Sequence, residues 1–282
     1  MRDDFAVFIL THGRPDKVVT LKALLAGNYT GKYYLVIDNE DDKADEYYRL
    51  FGDDKVIMFD KIEQAKKTDT ADLSDDRRAI VFARNACFDI AEKLGIKYFL
   101  ELDDDYTSFL FRFQEGTKLG SANCKDLDRL FEEMLIFLET SGALTVALCQ
   151  GGDLIGGLKS GTFKKGLLRK AMNTFFCKTE NRIEWAGRMN EDVSAYTLMS
   201  NQGKLFFTIT AAQICQLPTQ SLAGGMSEVY LDSGTYQKSF YSVLFSPQCV
   251  KISLMGGAHK RIHHNVEWEH CAPKILNEKW KK

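Results

Sequence analysis

The sequence predicts an α/β fold of one domain, a central mostly parallel sheet flanked by helices, on three observations. The run Phe5 to Leu10 is apolar throughout rather than alternating, as in strands covered on both faces. Helical periodicity follows the strand-like runs, so strands and helices alternate as crossover connections require. No repeat or low-complexity tract divides the 282 residues, and their 45% hydrophobic content suffices for one large core.

The elements justify this in order. After the first strand, Thr11-His12-Gly13-Arg14-Pro15 forms a turn, and Val18, Val19, Leu21, Leu24 and Leu25 mark a helix that Pro15 can open, since a first-turn N–H has no partner in the helix. Tyr33 to Ile37 is a second strand ending in Asp38-Asn39-Glu40-Asp41-Asp42, and Lys55 to Phe59 a short third. Residues 60–75 are polar without apolar periodicity and predict a mobile surface loop. Ser74-Asp75-Asp76 then caps a long helix through Ile80, Val81, Ala83, Cys87, Ile90, Ala91 and Leu94, stopped by Gly95. Lys97 to Leu102 is a strand running straight into Asp103-Asp104-Asp105, and a helix over 126–140 and a strand over 144–149 follow. Beyond Gly151 glycine pairs at 151–152, 156–157, 224–225 and 256–257 mark turns or close approaches, Leu205 to Ile214 reads as a strand and Tyr236 to Leu244 as a helix.

Composition narrows the class. A net charge of −2 gives no ground for a nucleic-acid binder as a whole, but acids crowd residues 38–54 while Lys159 to Arg182 carries seven Lys or Arg against the single acid Glu180. No apolar stretch of roughly eighteen residues occurs and no signal-type core follows Met1-Arg2-Asp3-Asp4, so a soluble, cytoplasmic chain with no membrane contact is expected. Seven cysteines without a CxxC pair, several inside apolar runs (Cys87, Cys149, Cys215), predict buried thiols rather than disulfides or a zinc cage.

The chemistry is concentrated at Asp103-Asp104-Asp105. In a continuing strand Asp103 and Asp105 point the same way and Asp104 the other. Adjacent carboxylates are comfortable only in water or sharing a cation, and a hard ion such as Mg²⁺ or Mn²⁺ takes carboxylate oxygens while leaving positions open for phosphate. A solvated turn is the alternative. The glycine pairs fit neither a P-loop nor a dinucleotide fingerprint. Ser221 to Glu228 reads as a mobile lid or a plain surface loop.

These residues resemble a known group. Ala83-Arg84-Asn85-Ala86, the helix it opens and Phe99-Leu100-Glu101-Leu102-Asp103-Asp104-Asp105 resemble the core signature of inverting glycosyltransferases of the GT-A fold, with Asn190-Glu191-Asp192 similar to their later acidic motif. The resemblance implies a single GT-A-type domain over 1–282, with a nucleotide-sugar-binding half at 1–150 and an acceptor-binding half with the C-terminal segment at 151–282. It implies a metal held by Asp103 and Asp105, and donor contacts from Thr11, Arg14, Asp38, Arg84 and Asp104. Thr11 as a cap and Arg84 paired with Asp89 are the plain alternatives. It places Asp192 as the base that deprotonates the acceptor hydroxyl, supported by Glu191. Both acids also suit the first turn of a helix for electrostatic reasons alone. Such enzymes often complete the metal shell with a C-terminal histidine, so the resemblance implies His264 before His259 among the cluster His259, His263, His264 and His270, with an ordinary surface or acceptor-contacting histidine as the alternative.

Cations with aromatics in Lys159 to Arg182, namely Phe163, Phe175 and Phe176, and in the tail, with Lys260, Arg261, Trp268, Trp280, Lys281 and Lys282, are what a nucleic-acid groove needs, although a basic surface over core phenylalanines would read identically. Met1 to Pro15 and the region around 190 are similar to the glycosyltransferases that decorate hydroxymethylated pyrimidines in phage DNA, including the TET-associated glycosyltransferases. That resemblance implies UDP-glucose as donor, Mn²⁺ or Mg²⁺ as cofactor and double-stranded modified DNA as acceptor partner. A metal-dependent nuclease or nucleotidyltransferase, a transferase with a non-DNA acceptor, and a non-catalytic binder of modified DNA are the alternatives.

Overall fold

A computed structural model describes residues 1–217, 237–256 and 261–271. The strands are β1 (Phe5–Leu10), β2 (Lys32–Asp38), β3 (Val56–Phe59), β4 (Tyr98–Asp103), β5 (Tyr106–Glu115), β6 (Lys118–Asn123), β7 (Thr145–Cys149), β8 (Leu167–Leu168), β9 (Thr174–Lys178), β10 (Phe206–Gln216), β11 (Val250–Met255) and β12 (Arg261–Val266). The helices are α1 (Val19–Ala26), α2 (Ala44–Phe51), α3 (Lys61–Ala65), α4 (Val81–Lys93), α5 (Leu127–Ser141), α6 (Gly161–Lys165), α7 (Glu191–Asn201), α8 (237–245) and α9 (Trp268–Cys271).

One ten-stranded sheet runs in the order β3-β2-β1-β4-β9-β7-β10-β5-β6, with β8 alongside β10, while β11 and β12 form a separate hairpin. β9, β5 and β8 run against the other strands, so the sheet is mixed but mostly parallel. Strand β1 shows why both faces are covered. Phe5, Val7 and Ile9 enter a core with α1 and α5, whereas Ala6, Phe8 and Leu10 enter a second core with α4 and α7. That is the period-two alternation of a strand expressed as two hydrophobic layers.

The order 2-1-4 puts β1 between the strand it leads to directly and one reached later across the sheet. At such a reversal the loops leaving adjacent strands diverge and open a crevice. β1, β2 and β4 are mutually parallel, so Thr11–Arg14, Asp38–Asp42 and Asp103–Asp105 emerge at one edge. Thr20 in the first turn of α1 fixes the acidic turn there. Its Oγ1 donates to the Asp103 carbonyl at 2.6 Å and accepts from the Tyr106 amide at 2.9 Å, and its amide donates to the Asp104 carbonyl at 3.1 Å.

Several sequence expectations are corrected. Residues 61–65 form a helix capped by the Asp60 side chain, which accepts from the Glu63 amide. They are anchored because Lys61 and Gln64 are buried, burial that apolar periodicity cannot register. Ser74-Asp75-Asp76 caps nothing: α4 begins at Val81, because Asp72 is held by Arg188 and Tyr241 while Asp76 binds Arg78 locally. Pro15 opens a separate 3-10 turn, Pro15–Lys17, before α1. Phe175 and Phe176 are fully buried in β9 and offer no stacking surface. The hairpin β5–β6 and strand β9 had no counterpart in the sequence reading. All seven cysteines are free, with Cys215 half-buried and the other six buried. Among the described residues no helix is long and apolar enough to cross a membrane. His259, Lys260 and the tail residues Trp280, Lys281 and Lys282, like Ser221 to Glu228 with Gly224-Gly225, lie outside the described residues.

Candidate active site

A cavity of about 900 Å³ opens at the carboxyl edge of β1, β2 and β4. Of the residues the sequence nominated by role, Thr11, Arg14, Asp38, Arg84, Asp103, Asp104, Asp105, Glu191, Asp192 and His264 line it, while His259 lies outside the described residues.

The acidic turn is not a continued strand. β4 stops at Asp103, and the three carboxylates take three different environments. Asp103 accepts from Arg84 Nη2 at 3.1 Å and from the Tyr106 hydroxyl at 3.4 Å. Asp104 is buried, and its Oδ2 accepts from Thr11 Oγ1 and Arg14 Nε, both at 2.7 Å. Its Oδ1 is buried with no hydrogen-bond partner. Asp105 has no arginine of its own: burial, then the charges of Asp103 and Asp104, push its carboxyl up to about 7. Burial likewise lifts Asp103 and Asp104 against the pull of Arg84 and Arg14 respectively.

Arg84, near the start of α4, is the hub. It is fully buried, and rather than pairing with Asp89 it donates to three carboxylates: Nε to Glu191 at 3.0 Å, Nη2 to Asp103 and Nη1 to Glu101 at 3.4 Å. Asp89 is taken by Arg182 and Gln64. The guanidinium lies 4.9 Å over the Phe175 ring and 5.7 Å from that of Trp185, contacts that fix its plane. Burial drives Glu101 up to about 8, Arg84 pulling the other way, and the longer 3.4 Å contact makes it the weakest of the three claims on the guanidinium.

Glu191 and Asp192 open α7, where the helix dipole favours carboxylates. Asn190 before them adopts a left-handed conformation, φ 56°, which asparagine tolerates. Its amide donates to the Lys238 carbonyl at 2.8 Å and meets His264 Nδ1 at 3.2 Å, so α7 begins pinned to α8 and β12. Both acids are buried, and burial raises both carboxyls, with Arg84 opposing it at Glu191 and Lys238 at Asp192. His264 goes the other way: burial lowers it to about 4, leaving a neutral imidazole.

At the other end of the cavity Asp38 is occupied. His12 Nδ1 bonds it at 2.8 Å and Lys61 Nζ stands 3.2 Å away. Burial works against the carboxylate, but these two partners outweigh it and hold Asp38 below the usual range. The same bond raises His12. Asp41 accepts from the Gly13 amide at 2.7 Å, and the Tyr47 hydroxyl joins Thr11 at 2.8 Å and the Arg14 amide at 3.0 Å. Sequence reasoning missed His12, Tyr47, Lys61 and Lys238. His12 lay inside the turn already singled out, whereas Lys61 stood in a segment read as loop. Among the described residues no group of three His, Cys, Asp or Glu side chains stands at metal-ligand spacing, so Asp103, Asp105 and His264 do not form a closed ligand set.

A crevice at a sheet reversal, rimmed by acids at one end of a strand and by two more on a facing helix, defines a class of α/β group-transfer enzymes. The profile of the TET-Associated Glycosyltransferase family matches residues 5–225, and the chain belongs to that family. It is therefore a glycosyltransferase. No curated protein matches it. Among solved structures it is similar to glucosyl-3-phosphoglycerate synthase from Mycobacterium tuberculosis with Mg²⁺ and uridine diphosphate, at 9% identity over 93% of this chain and 87% of that one, TM-score 0.47. A second structure of that synthase, with Mn²⁺, uridine diphosphate and phosphoglyceric acid, gives 9% identity, 93% and 86% coverage and TM-score 0.45.

Proposed function

We propose that this glycosyltransferase moves glucose from UDP-glucose to a hydroxyl on hydroxymethyl- or glucosyl-hydroxymethylcytosine in double-stranded DNA, with inversion at the sugar carbon and with Mn²⁺ or Mg²⁺. The observation that carries the reading is that Asp103–Asp105 and Asp192 border one cavity large enough for a nucleotide sugar.

The residues fit a divalent cation. Among the described residues Asp105 has no ion-paired cation, Arg14 acting on it only through space, and Asp104 Oδ1 is buried without a hydrogen-bond partner, so the acids gathered there outweigh the positive charge on them. Among the described residues no third side chain stands at metal-ligand spacing with the two aspartates, as for an ion held by one or two carboxylates and completed by phosphate and water. Asp103 and Asp105 would hold it. Once bound, such an ion stabilises the negative charge of the departing diphosphate. Thr11 and Arg14 border the diphosphate end, and Asp38, braced by His12 and Lys61, the nucleoside end.

Asp192 takes the proton of the acceptor hydroxyl as its oxygen attacks the anomeric carbon from the side opposite the diphosphate, and the bond from that carbon to the diphosphate oxygen breaks. Burial makes Asp192 a stronger base than an exposed aspartate, and Arg84 keeps Glu191 and Asp103 in register across the cavity. Support for a DNA acceptor is the exposed Lys159, Lys164 and Arg169, the last adjoining Lys170 on the cavity wall; such cations suit phosphates.

The test is mass spectrometry of nucleosides from duplexes containing cytosine, hydroxymethylcytosine or glucosyl-hydroxymethylcytosine after incubation with UDP-glucose and Mn²⁺. A hexose added to a modified base, lost with EDTA and regained with excess Mn²⁺, is expected. Transfer that is indifferent to EDTA removes the metal, and transfer only to a non-DNA hydroxyl removes the acceptor.

A further inference from the structure

The wall beside Asp192 is aromatic. Tyr196 lies one turn after Asp192 on the same face of α7, and after burial the charge of Asp192 is what most raises its hydroxyl. Against Tyr196 lies the indole of Trp268, the first residue of α9, with ring centroids 5.4 Å apart and planes at 22°. Tyr196 is buried, whereas Trp268 lines the cavity and remains 42% exposed. Tyr196 covers one indole face, and Trp268 keeps exposed area on the cavity.

The support under Trp268 is firm. Cys271, one turn along α9, is buried against Cys249 and Val250. The Glu267 amide donates to the Cys249 carbonyl at 2.7 Å, and the Glu267 carboxylate meets Lys251 Nζ at 2.7 Å. An exposed tryptophan that is backed by a second ring and anchored from both sides is built to receive something flat, since stacking needs a rigid face and a fixed distance. The wall around the Asp103–Asp105 turn, by contrast, is formed by Thr11, Arg14 and acids, and among the described residues its cavity lining there holds no Phe, Tyr or Trp.

We infer that Trp268, backed by Tyr196, is the platform on which the ring bearing the accepting hydroxyl stacks, so that the hydroxyl is delivered to Asp192. The ligand chemistry is a flat ring face with a hydroxyl at its edge, supplied either by a hydroxymethylated base or by a pyranose already attached to it. Acceptor choice then depends on stacking at this wall rather than on an ion pair with it. The inference rests on the reading of Asp192 as the base, and it makes Trp268 a specificity-determining residue.

The experiment uses the full chain with Trp268→Ala and Trp268→Phe, UDP-glucose with Mn²⁺, and duplexes containing hydroxymethylcytosine or glucosyl-hydroxymethylcytosine. Loss of a stacked ring raises the KM for acceptor roughly tenfold or more in Trp268→Ala, with the KM for UDP-glucose and the acceptor-independent release of UDP unchanged. Trp268→Phe recovers most of the loss, which a purely structural defect in α9 does not predict. The duplex whose KM moves identifies the stacked ring as base or pyranose. An unchanged acceptor KM in Trp268→Ala, or an equal rise for donor and acceptor, overturns the platform. The underlying reading has its own arm. Asp192→Asn that still transfers at the wild-type rate refutes the base, while quenching of tryptophan fluorescence by the modified duplex, absent in Trp268→Phe, reports the platform without catalysis.

Discussion

The acids of the cavity are told apart by their partners. Asp104 is committed to Thr11 and Arg14, Asp103 and Glu191 share Arg84, and Glu101 is raised by burial beneath them. Asp192 and Asp105 receive no arginine hydrogen bond among the described contacts, and Asp192, buried at the start of the facing helix, is the one proposed to exchange a proton. Its folded-state value lies above the ordinary 3.8 through burial. A base works deprotonated, so activity should fall as the pH drops through a value higher than an exposed aspartate would give. A pH profile of kcat/KM measures this, and an acid limb at or below the ordinary aspartate range would count against Asp192. The Asp192→Asn variant should keep its affinity for UDP in calorimetry while kcat falls by about 10²–10⁴.

At the scale of elements, α7 carries the proposed base and depends on what grips its entry. Gly187 and Arg188 amides donate to the Asp69 and Thr70 carbonyls at 2.8 and 3.2 Å, Arg188 holds Asp72 through two bonds of 2.8 Å, and Tyr241 of α8 donates to the same carboxylate at 2.5 Å. This clamp joins the segment before α4 to both helices that frame the acceptor side. The Arg188 bond, then that of Tyr241, outweighs burial and lowers Asp72 to about 2 from an ordinary 3.8. A depressed carboxyl stabilises the folded state above its unfolded value and loses that contribution as pH falls through the folded one. Hydrogen exchange should therefore show the Gly187 and Arg188 amides losing protection between about pH 3.8 and pH 2, and Asp72→Asn should have them poorly protected already at neutral pH. Equal protection in the variant would show that the clamp does not hold this loop.

For the whole molecule, the sheet reversal gathers the first third of the chain into one wall of the cavity and residues 170–268 into the other. A ligand bridging the two walls should stabilise the whole fold. UDP with Mn²⁺ at about a hundredfold excess over Kd contributes about 2.7 kcal/mol, a rise in Tm of about 5 °C or more at this chain length. Asp105→Asn should reduce the increment that Mn²⁺ adds to UDP. Equal shifts with and without the ion would remove Asp105 from metal binding.

The sequence was most legible where pattern is local. Phe5 to Leu10, Tyr33 to Ile37 and Lys97 to Leu102 read as strands, each within one residue of β1, β2 and β4, and the side chains nominated at their carboxyl ends do share one cavity. It was least legible where burial or pairing comes from distant chain. Lys61 and Gln64 make a helix only because Asp38, Asp89 and the sheet receive them, and β9 enters the middle of the sheet from a stretch whose lysines suggested a surface.

By itself the sequence determined the strand–turn–helix order and the identity of the acids, because hydrophobic period and residue type are properties of short segments. Only the tertiary structure decided that Arg84 serves three carboxylates, that His12 and Lys61 occupy Asp38, that Phe175 lies beneath the site rather than facing a ligand, and that Trp268 stands beside Asp192. Those depend on which backbones the sheet order brings together, and on charges whose state is set by burial among residues up to a hundred or more positions apart.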